Sequence, residues 1–467
     1  MGTVRLFLLL VLVMVATTRG DRYHPEKNAQ NSQQLQRNPD AFNTAERTPE
    51  FWKNSAKAGI ETRLKDIRND KLARNVIMFL GDGMSIPTLM AARTLKGQRQ
   101  NRTGEETELF FETFPSVGLS KTYCLDKQIP DSACTATAYL AGIKNNYETV
   151  GVDGRVQRGD CLASADKSTH LDSIAAWALD DGRDAGIVTT TRVTHASPSG
   201  TYARSAHRDW ESDANVTQAG FTTDVCPDIA MQLITTSPGN KFKADKATDP
   251  TLAELTEVAI NSLSRNEKGY FLFVEGGRTD HAHHDNWAQM ALDETLEFDL
   301  AIEKAVEMVG DDTLIVVTAD HAHVMAINGY TKRGGDILGP SDDLGGDNVP
   351  YMTLSYTNGP GARPHVDGNR VDVTKEDFMD LEWRSHADVF LEWETHGGDD
   401  VAVMAWGPHH HLFTGVYEQS HIPFRMAYAA CIGPGLHADA CSSASLLHPL
   451  SLLYAIVLAA LYHTAQW

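Results

Sequence analysis

The stretch 269–286, with the sequence GYFLFVEGGRTDHAHHDN, constrains the fold of this chain more than any other. It begins with a short run of wholly apolar residues, 270–274, directly after a glycine. A run of that length predicts a strand buried on both faces of a parallel sheet. Parallel α/β sheets place their chemistry at the carboxyl ends of their strands, so the sequence predicts a functional site here. The strand is followed by metal-competent side chains: Glu275, Asp280, His281, His283 and His284.

Similar apolar runs recur along the chain and predict further strands. They lie at 75–80, 187–191, 313–318 and 401–405. Helical patterns lie between them, at 55–74, from residue 131 onward and at 252–264. Strands that alternate with helices indicate an α/β fold. Clusters of glycine, proline and aspartate interrupt the pattern at about 329–395, which predicts a loop-rich inserted subdomain.

Three of the predicted strands end in an acid, at Asp82, Glu275 and Asp320. Histidines follow two of these acids within nine residues. Burying the three carboxylates together costs several kcal/mol each unless cations compensate, so the pattern predicts a site for several metal ions. Carboxylates with imidazoles suit zinc, and an oxygen-only subset suits magnesium. Asp280 and His284, four residues apart, share one face if a helix begins there.

The formal net charge of −21 argues against a nucleic-acid-binding protein, because such a protein needs a basic face. The same acidic surface slows the approach of a substrate that carries a phosphate group. Any site for such an anion must therefore be locally positive.

Both ends of the chain carry processing signals. Residues 1–20 combine a basic residue with an apolar run, which is typical of a secretory signal peptide. Small residues precede an apolar tail at the other end, and we predict that 442–467 is a signal for attaching a GPI anchor at the cell surface. A plain C-terminal membrane helix is the alternative. Asn101 and Asn215 begin glycosylation triplets, which fit an exported glycoprotein.

Six cysteines in an exported chain predict disulfides. Cys431 and Cys441 lie ten residues apart in a segment rich in glycine and proline, which favours a local bridge. Spacing alone does not pair the other four.

Six longer motifs occur in the order FLGDGM, DSACTATAY, HASPSGTYA, FVEGGRTDHAHH, TADHAHV and ETHGG. By these motifs the chain resembles the alkaline phosphatases from about residue 75 to residue 441. The resemblance implies a mostly parallel central sheet sandwiched by helices in one catalytic domain at 21–441. It also implies hydrolysis of phosphate monoesters with a high pH optimum, through a phosphoserine, with two zinc ions and one magnesium ion. A homodimer is implied as well, and the polar arm at 21–54 is the segment we expect to cross over.

The resemblance also assigns individual residues. The ligands of the first zinc would be Asp280, His284 and His396. Those of the second zinc would be Asp82, Asp320 and His321, together with the nucleophile Ser132. Magnesium would be held by Asp82, Ser197 and Glu275, with His195 behind these ligands. The phosphate group would be bound by Arg208.

Several of these side chains also have a structural interpretation. Ser132, taken alone, would more often be a helix cap than a nucleophile. Arg204 is interpreted as a surface arginine. We expect supporting or packing roles for His281, His283 and His323. The three consecutive histidines at 409–411 resemble a metal-binding tract, but we expect them to form an exposed loop.

The chain departs from the family between Arg208 and Glu275, which only 67 positions separate. Animal members usually have a longer stretch there, which supplies a sheet strand and a peripheral calcium site. The acidic cluster that would bind calcium is not recognisable, so calcium is not among the predicted ions.

The cysteines near the motifs also differ from the family. Cys161 and Cys226 would match a disulfide of the family. Cys134 stands beside the nucleophile, where many relatives have glycine. It either pairs with Cys124 or leaves a free thiol close to the metals.

Two other functions stay open, the first of them because of the shortened stretch. One is an inactive or weakened relative that serves as a binding protein at the cell surface. The other is a phosphodiesterase or sulfatase-like hydrolase of the same superfold. Those hydrolases tend to use threonine or a modified cysteine, so Ser132 with Arg208 favours phosphate monoesters. The complete ligand set favours the enzyme over the binding protein.

Overall fold

The computed structural model describes residues 44–65, 68–236, 250–437 and 441. The predicted signal peptide at 1–20 and anchor signal at 442–467 lie outside these residues. The elements of the first half are α1 (Pro49–Lys65), β1 (Asn75–Gly81), α2 (Ile86–Arg99), β2 (Ser116–Lys121), α3 (Ser132–Ala141), α4 (Cys161–Ala165), α5 (Ile174–Asp180), β3 (Asp184–Thr189), α6 (Ala196–Ser199), α7 (Asp213–Gln218) and α8 (Ile229–Thr236).

The elements of the second half are α9 (Leu252–Leu263), β4 (Tyr270–Gly276), α10 (Arg278–His284), α11 (Ala288–Met308), β5 (Thr313–Ala319), β6 (Ala322–His323), β7 (Met325–Ile327), β8 (Pro340–Leu344), β9 (Pro350–Met352), β10 (Leu354–Gly359), β11 (Ala387–Phe390), β12 (His396–Gly397), β13 (Val401–Trp406), β14 (Gly415–Glu418) and α12 (Ile422–Ala430). Short 3₁₀ helices include Thr44–Arg47, Phe110–Thr113 and His410–Phe413.

The largest sheet in the described part of the chain has seven strands in the order β14-β2-β13-β5-β1-β4-β3. Four of its six pairings are parallel, and β13 is antiparallel to both of its neighbours. Every residue of β1, β4 and β5 is buried. The wholly apolar runs therefore belong to the middle of the sheet, and the predicted α/β fold is confirmed.

Helices cover both faces of this sheet. Alternate side chains point to opposite faces of a strand, so Ile77 and Phe79 join one buried cluster while Val76 and Met78 join another. The first cluster contains residues of α2, α9 and α11. The second contains residues of α3, α5 and α12. The two apolar layers hold the strand ends in place.

The register of the central strands sets the positions of the three acids. Gly81 at the end of β1 pairs with Gly276 of β4 and with Ala319 of β5. Asp82 and Asp320 therefore leave the sheet at the same level, and Glu275 lies one residue inside it. All three acids lie at the carboxyl edge of adjacent parallel strands.

Two of the predicted elements have boundaries that differ from those in the structure. The helix predicted at 55–74 ends at Lys65 as α1, and Asn69 accepts a hydrogen bond from the Lys71 backbone at 3.1 Å, a local turn that competes with a helix. The strand predicted at 187–191 begins at Asp184. It ends at Thr189, whose hydroxyl accepts from the Thr191 backbone at 2.9 Å.

The expectation of an exposed loop at 409–411 is also wrong. His409 and His410 each expose only 5% of their surface. The ring of His410 is hydrogen-bonded to Ser116 at 2.8 Å. Phe413 is fully buried in the core, and its burial draws the preceding histidines against the body of the protein.

All six cysteines are paired, as Cys124–Cys134, Cys161–Cys226 and Cys431–Cys441. The alternative of a free thiol at Cys134 is therefore wrong. The region 329–395 contains the short strands β8 to β11 with loops between them. None of the described helices is both long and apolar enough to cross a membrane. Helix α1 has no buried residue, and Trp52 on it is 55% exposed.

Candidate active site

Three buried carboxylates form the floor of the candidate site. Asp82, Glu275 and Asp320 are fully buried, and burial raises the pKa of each. The pKa of Glu275 rises to about 7, and that of Asp82, which also lies near the other acids, rises well above its ordinary value. Both oxygens of Asp82, Oε1 of Glu275 and Oδ2 of Asp320 make no hydrogen bond. Such orphaned oxygens call for cations.

Asp280 lies at the centre of a group of imidazoles. Helix α10 carries Asp280 and His284 on one face, as predicted, and their side chains approach to 3.3 Å. The Oδ1 atom of Asp280 lies 3.4 Å from Nε2 of His396 and 2.8 Å from Nε2 of His323. Burial alone would raise the pKa of Asp280, but these imidazoles hold it well below its ordinary value.

Backbone carbonyls orient two of these imidazoles. Nδ1 of His284 donates to the carbonyl of Glu394 at 2.6 Å, and Nδ1 of His396 donates to the carbonyl of Pro130 at 2.8 Å. Each ring is thus left with its Nε2 atom for a further partner, and the two Nε2 atoms lie 3.1 Å apart. Two nitrogens on one tetrahedral zinc are about 3.3 Å apart, so this spacing fits a shared ion.

His321 lies between two buried acids and Ser132. Its Nε2 atom lies 3.4 Å from Asp82, 3.3 Å from Asp320 and 3.3 Å from the hydroxyl of Ser132. Burial lowers its pKa well below the ordinary value, so the ring is neutral and able to bind a metal. One ligand atom each from Asp82, Asp280 and His321 lies within 4.8 Å of the other two.

Ser132 is the first residue of α3, and it does not cap the helix. Asp131 is the N-cap, and its carboxylate accepts from the backbone N–H groups of Ala133 at 3.1 Å and Cys134 at 3.3 Å. The capping interpretation of Ser132 is therefore wrong. Its buried hydroxyl is directed instead toward His321, at the positive end of the helix dipole.

Arg208 brings positive charge to this acidic site. Its Nη1 donates to Asp131 at 3.1 Å, and its Nη2 donates to His195 at 3.0 Å. Burial opposes the charge, but Asp131 and Asp82 raise the pKa of Arg208 above its ordinary value. Arg204 points elsewhere, since it pairs with Asp172 at 2.9 Å and is only 18% exposed. Arg204 is thus half-buried in an ion pair and not a free surface arginine.

The oxygen-rich group lies on the other side of Asp82. Ser197 on α6 is fully buried and faces the carboxylate of Glu275. Hydroxyls of Thr189 and Thr191 donate to Oε2 of Glu275 and leave Oε1 without a hydrogen bond. One ring nitrogen of His195 lies within 4.8 Å of ligand atoms of Asp82 and Glu275.

The other histidines have different environments. His283 is held by Thr88 at 3.0 Å and Tyr356 at 2.8 Å, outside the ligand groups. His281 contacts His195 edge to face. His323 has both ring nitrogens bonded to carboxylates, at 2.8 Å to Asp280 and 2.5 Å to Glu394. Burial would lower the pKa of His323, but Glu394 and Asp280 raise it to about 10.

Sequence reasoning missed the roles of Glu394 and Asp131. Glu394 is buried, and it supports Asp280 through His323 while its carbonyl orients His284. Asp131 caps α3 and positions Arg208. Both acids stand within the quoted motifs next to predicted site residues, at two positions before His396 and one before Ser132. An acid so close to a predicted site residue was the signal in the sequence that could have indicated a supporting role.

The chain matches a family profile described as Alkaline phosphatase over residues 73–241 and 238–432. The chain belongs to the alkaline phosphatase family. It is 48% identical to the membrane-bound alkaline phosphatase of Bombyx mori, over 94% of each chain. It is 40% identical to the tissue-nonspecific alkaline phosphatase of Rattus norvegicus, over 88% of this chain and 94% of that one. The chain is accordingly a phosphoric monoester hydrolase.

Solved alkaline phosphatases share the fold. The enzyme from the Antarctic bacterium TAB5 matches with a TM-score of 0.52 and 21% identity, over 78% of this chain and 99% of that one. The Thermus thermophilus enzyme matches with a TM-score of 0.54 and 21% identity, over 78% and 92%. A variant of the TAB5 enzyme is described with Mg bound in the M3 site.

The comparisons also bear on the shortened stretch. The alignment with the Bombyx mori alkaline phosphatase spans 526 positions, more than the 467 residues of this chain, so that relative carries residues that this chain lacks. The two parts of the family match meet at 238–241, between Arg208 and Glu275. In the described residues, β3 is an edge strand of the central sheet.

We predict that Glu394→Gln lowers the affinity of the site for metal by about 10- to 100-fold, because His323 would lose the charge that holds it against Asp280. Chelator competition followed by metal analysis measures the change. Glu392→Gln, an exposed acid two residues away, is the matched control and should retain its metal. Equal retention by both variants would show that Glu394 does not support the metal centre.

Proposed function

We propose that this phosphatase acts through a phosphoserine on Ser132, at a site for two zinc ions and one magnesium ion. The observation that carries the proposal is the position of the Ser132 hydroxyl. It is buried, freed from capping by Asp131, and lies 3.3 Å from Nε2 of His321. The two residues before it hold Arg208, through the Asp131 carboxylate, and His396, through the Pro130 carbonyl.

The geometry supports one ligand set for each ion. The first zinc is assigned to Asp280, His284 and His396. The second zinc is assigned to Asp82, Asp320 and His321, with the oxygen of Ser132. Magnesium is assigned to the oxygen-rich group, Asp82, Ser197 and Glu275, with His195 beside it. The mixed nitrogen and oxygen sets suit zinc, and the set of oxygens suits magnesium. When bound, the ions supply Lewis acidity that lowers the pKa of coordinated hydroxyls and stabilises a leaving oxygen.

Arg208 binds the phosphate group, and Ser132 attacks its phosphorus. The guanidinium of Arg208 binds two phosphate oxygens in a planar fork and holds the phosphorus in front of the Ser132 oxygen. That oxygen forms a bond to phosphorus while the bond to the alcohol oxygen breaks, and the alcohol leaves with a proton. Water then attacks the phosphoserine, which releases inorganic phosphate and restores the hydroxyl. Both attacking oxygens must lose a proton, which supports an alkaline pH optimum.

Asp131 prepares this arrangement before substrate arrives. Its carboxylate accepts from two backbone N–H groups of α3 and from Nη1 of Arg208, so one side chain fixes both the nucleophile helix and the phosphate ligand. The second donor group of Arg208 is held by His195. Such preorganisation lowers the entropy that must be lost when phosphate binds.

We predict that Ser132→Ala lowers kcat by at least about 10³-fold and abolishes covalent labelling, because the variant has no nucleophile. The measurement is incorporation of radioactive phosphate at acidic pH, followed by mapping of the labelled peptide. Thr135→Ala is the control, since that hydroxyl bonds only within its own helix, at 3.0 Å to the Asp131 carbonyl. Label that persists in Ser132→Ala would overturn the phosphoserine mechanism.

Arg208→Ala should lower kcat/KM for an aryl phosphate by about 10- to 100-fold, because it removes charge-assisted hydrogen bonds worth about 1.5–3 kcal/mol. Inhibition by inorganic phosphate should weaken in parallel. Arg204→Ala is the control, because Arg204 bonds Asp172 and the Tyr202 carbonyl outside the site. It should keep the kcat/KM of the wild-type protein. Equal losses in the two variants would contradict the assignment to Arg208.

We also propose that the protein is a glycosylated homodimer held at the cell surface by a GPI anchor added near 442. Asn101 and Asn215 are both exposed, as glycosylation requires. Helix α1 offers the exposed side chains of Trp52, Ile60 and Leu64 to a partner. A relative is named membrane-bound, which supports attachment to a membrane.

Phosphatidylinositol-specific phospholipase C should release the phosphatase activity from intact cells, because the proposed anchor is a cleavable lipid. The released protein should sediment at twice the mass of the chain. Activity that stays with the membrane after this treatment would favour the alternative of a C-terminal membrane helix. A monomer at micromolar concentration would contradict the dimer.

A further inference from the structure

A second group of metal-competent side chains lies outside the active site. One ligand atom each from Asp70, His409 and His411 lies within 4.8 Å of the other two. The Oδ1 atom of Asp70 is 3.9 Å from Nδ1 of His409 and 4.0 Å from Nε2 of His411. Two imidazoles and a carboxylate are a donor set that suits zinc.

This group lies at the opposite edge of the central sheet. Asp70 precedes β1, whereas the active-site acid Asp82 follows it. Strand β13 is antiparallel to β5, so the histidines that follow Trp406 lie beside the amino end of β5. The length of β1 separates the two edges by about 20 Å. The group therefore shares no ligand with the proposed catalytic metals.

The ring of His409 is buried and has no hydrogen-bond partner. It exposes only 5% of its surface, and neither of its ring nitrogens makes a hydrogen bond. Nδ1 of His411 is buried and unbonded as well. Burying a polar atom without a partner is unfavourable, so a structural role alone leaves the ring of His409 unexplained.

The backbone holds this ring toward the segment that carries Asp70. The N–H of His409 donates to the carbonyl of Asn69 at 2.7 Å. His409 has a φ of 55°, in the left-handed region that residues other than glycine seldom adopt, and the ring of Tyr428 packs against it edge to face. The two segments are thus joined at the place where the three ligand atoms meet.

One neighbouring side chain competes with a metal ion for Asp70. Arg68 pairs with Asp70 at 2.6 Å, but both side chains are more than half exposed, and such a pair contributes little and is easily displaced. His410, between the two candidate ligands, is satisfied by Ser116 and serves packing. The same run of three histidines therefore contains one structural residue flanked by two that lack partners.

We propose that Asp70, His409 and His411 bind one zinc-class divalent cation that joins the segment before β1 to the loop after β13. The three donor atoms all lie within 4.8 Å of one another, so rotation of their side chains is enough to bring them around one tetrahedral zinc, with water as the fourth ligand. The acidic surface of the protein favours cation binding in general. This site is independent of the proposed catalytic mechanism.

The test compares the zinc content of four holoproteins after dialysis against ZnCl2 and removal of free ions. His409→Asn keeps a residue that tolerates positive φ but removes the imidazole. His411→Gln removes the other imidazole, and His365→Asn removes an exposed histidine elsewhere as the matched control. The wild-type protein and His365→Asn should each bind one more zinc per chain than His409→Asn and His411→Gln. Equal zinc content in all four would overturn the proposal.

Comparing the zinc contents of the four proteins distinguishes loss of this site from loss of the catalytic metals. Failure of the proposed catalytic metals to bind would lower the zinc content of all four proteins together and leave the difference intact. Hydrolysis of an aryl phosphate should be unchanged in His409→Asn, which shows that it folds. Should it fail to fold, Asp70→Asn at the exposed ligand gives the same comparison. Zinc should raise the Tm of the wild-type protein more than that of Asp70→Asn, and equal shifts would again contradict the site.

Discussion

The structure depends on the burial of like charges at the carboxyl edge of its central sheet. The register of β1, β4 and β5 places Asp82, Glu275 and Asp320 side by side, and apolar layers on both faces exclude water from them. Carboxylates in that position are stable only with cations among them. The cluster of three carboxylates is unfavourable without metal, and for the same reason it is a strong set of metal ligands. The apolar core holds these side chains in place.

Groups that are not among the proposed metal ligands orient the side chains of the site. Carbonyls of Pro130 and Glu394 set the tautomers of His396 and His284, so that each ring is left with its Nε2 atom for a further partner. Asp131 fixes α3 and Arg208 together. These contacts join parts of the chain that lie far apart in sequence, which couples the chemistry of the phosphatase to the assembly of the whole fold.

The histidines show that residue type alone does not define a role. His323 lies among the ligands, but both its nitrogens are bonded to acids, so it supports Asp280. His283 is held by Thr88 and Tyr356 outside the site. At the far edge of the sheet, His410 is satisfied by Ser116, whereas its neighbour His409 is buried without a partner. Histidines that the sequence does not distinguish therefore differ in the partners of their ring nitrogens.

The sequence by itself determined the central strands, because runs as apolar as 270–274 are stable only when both faces are buried. It also determined the acids at their ends and, through long motifs, the family. The tertiary structure decided that Asp131 and not Ser132 caps α3, that Glu394 supports Asp280, and that His409 is buried. Glu394 reaches Asp280 through His323, and the backbone of His409 bonds Asn69, so these two outcomes depend on partners far apart in sequence that no local pattern encodes. Local periodicity reports which face of a segment is buried, whereas the partner of each polar atom is set only when the segments pack together.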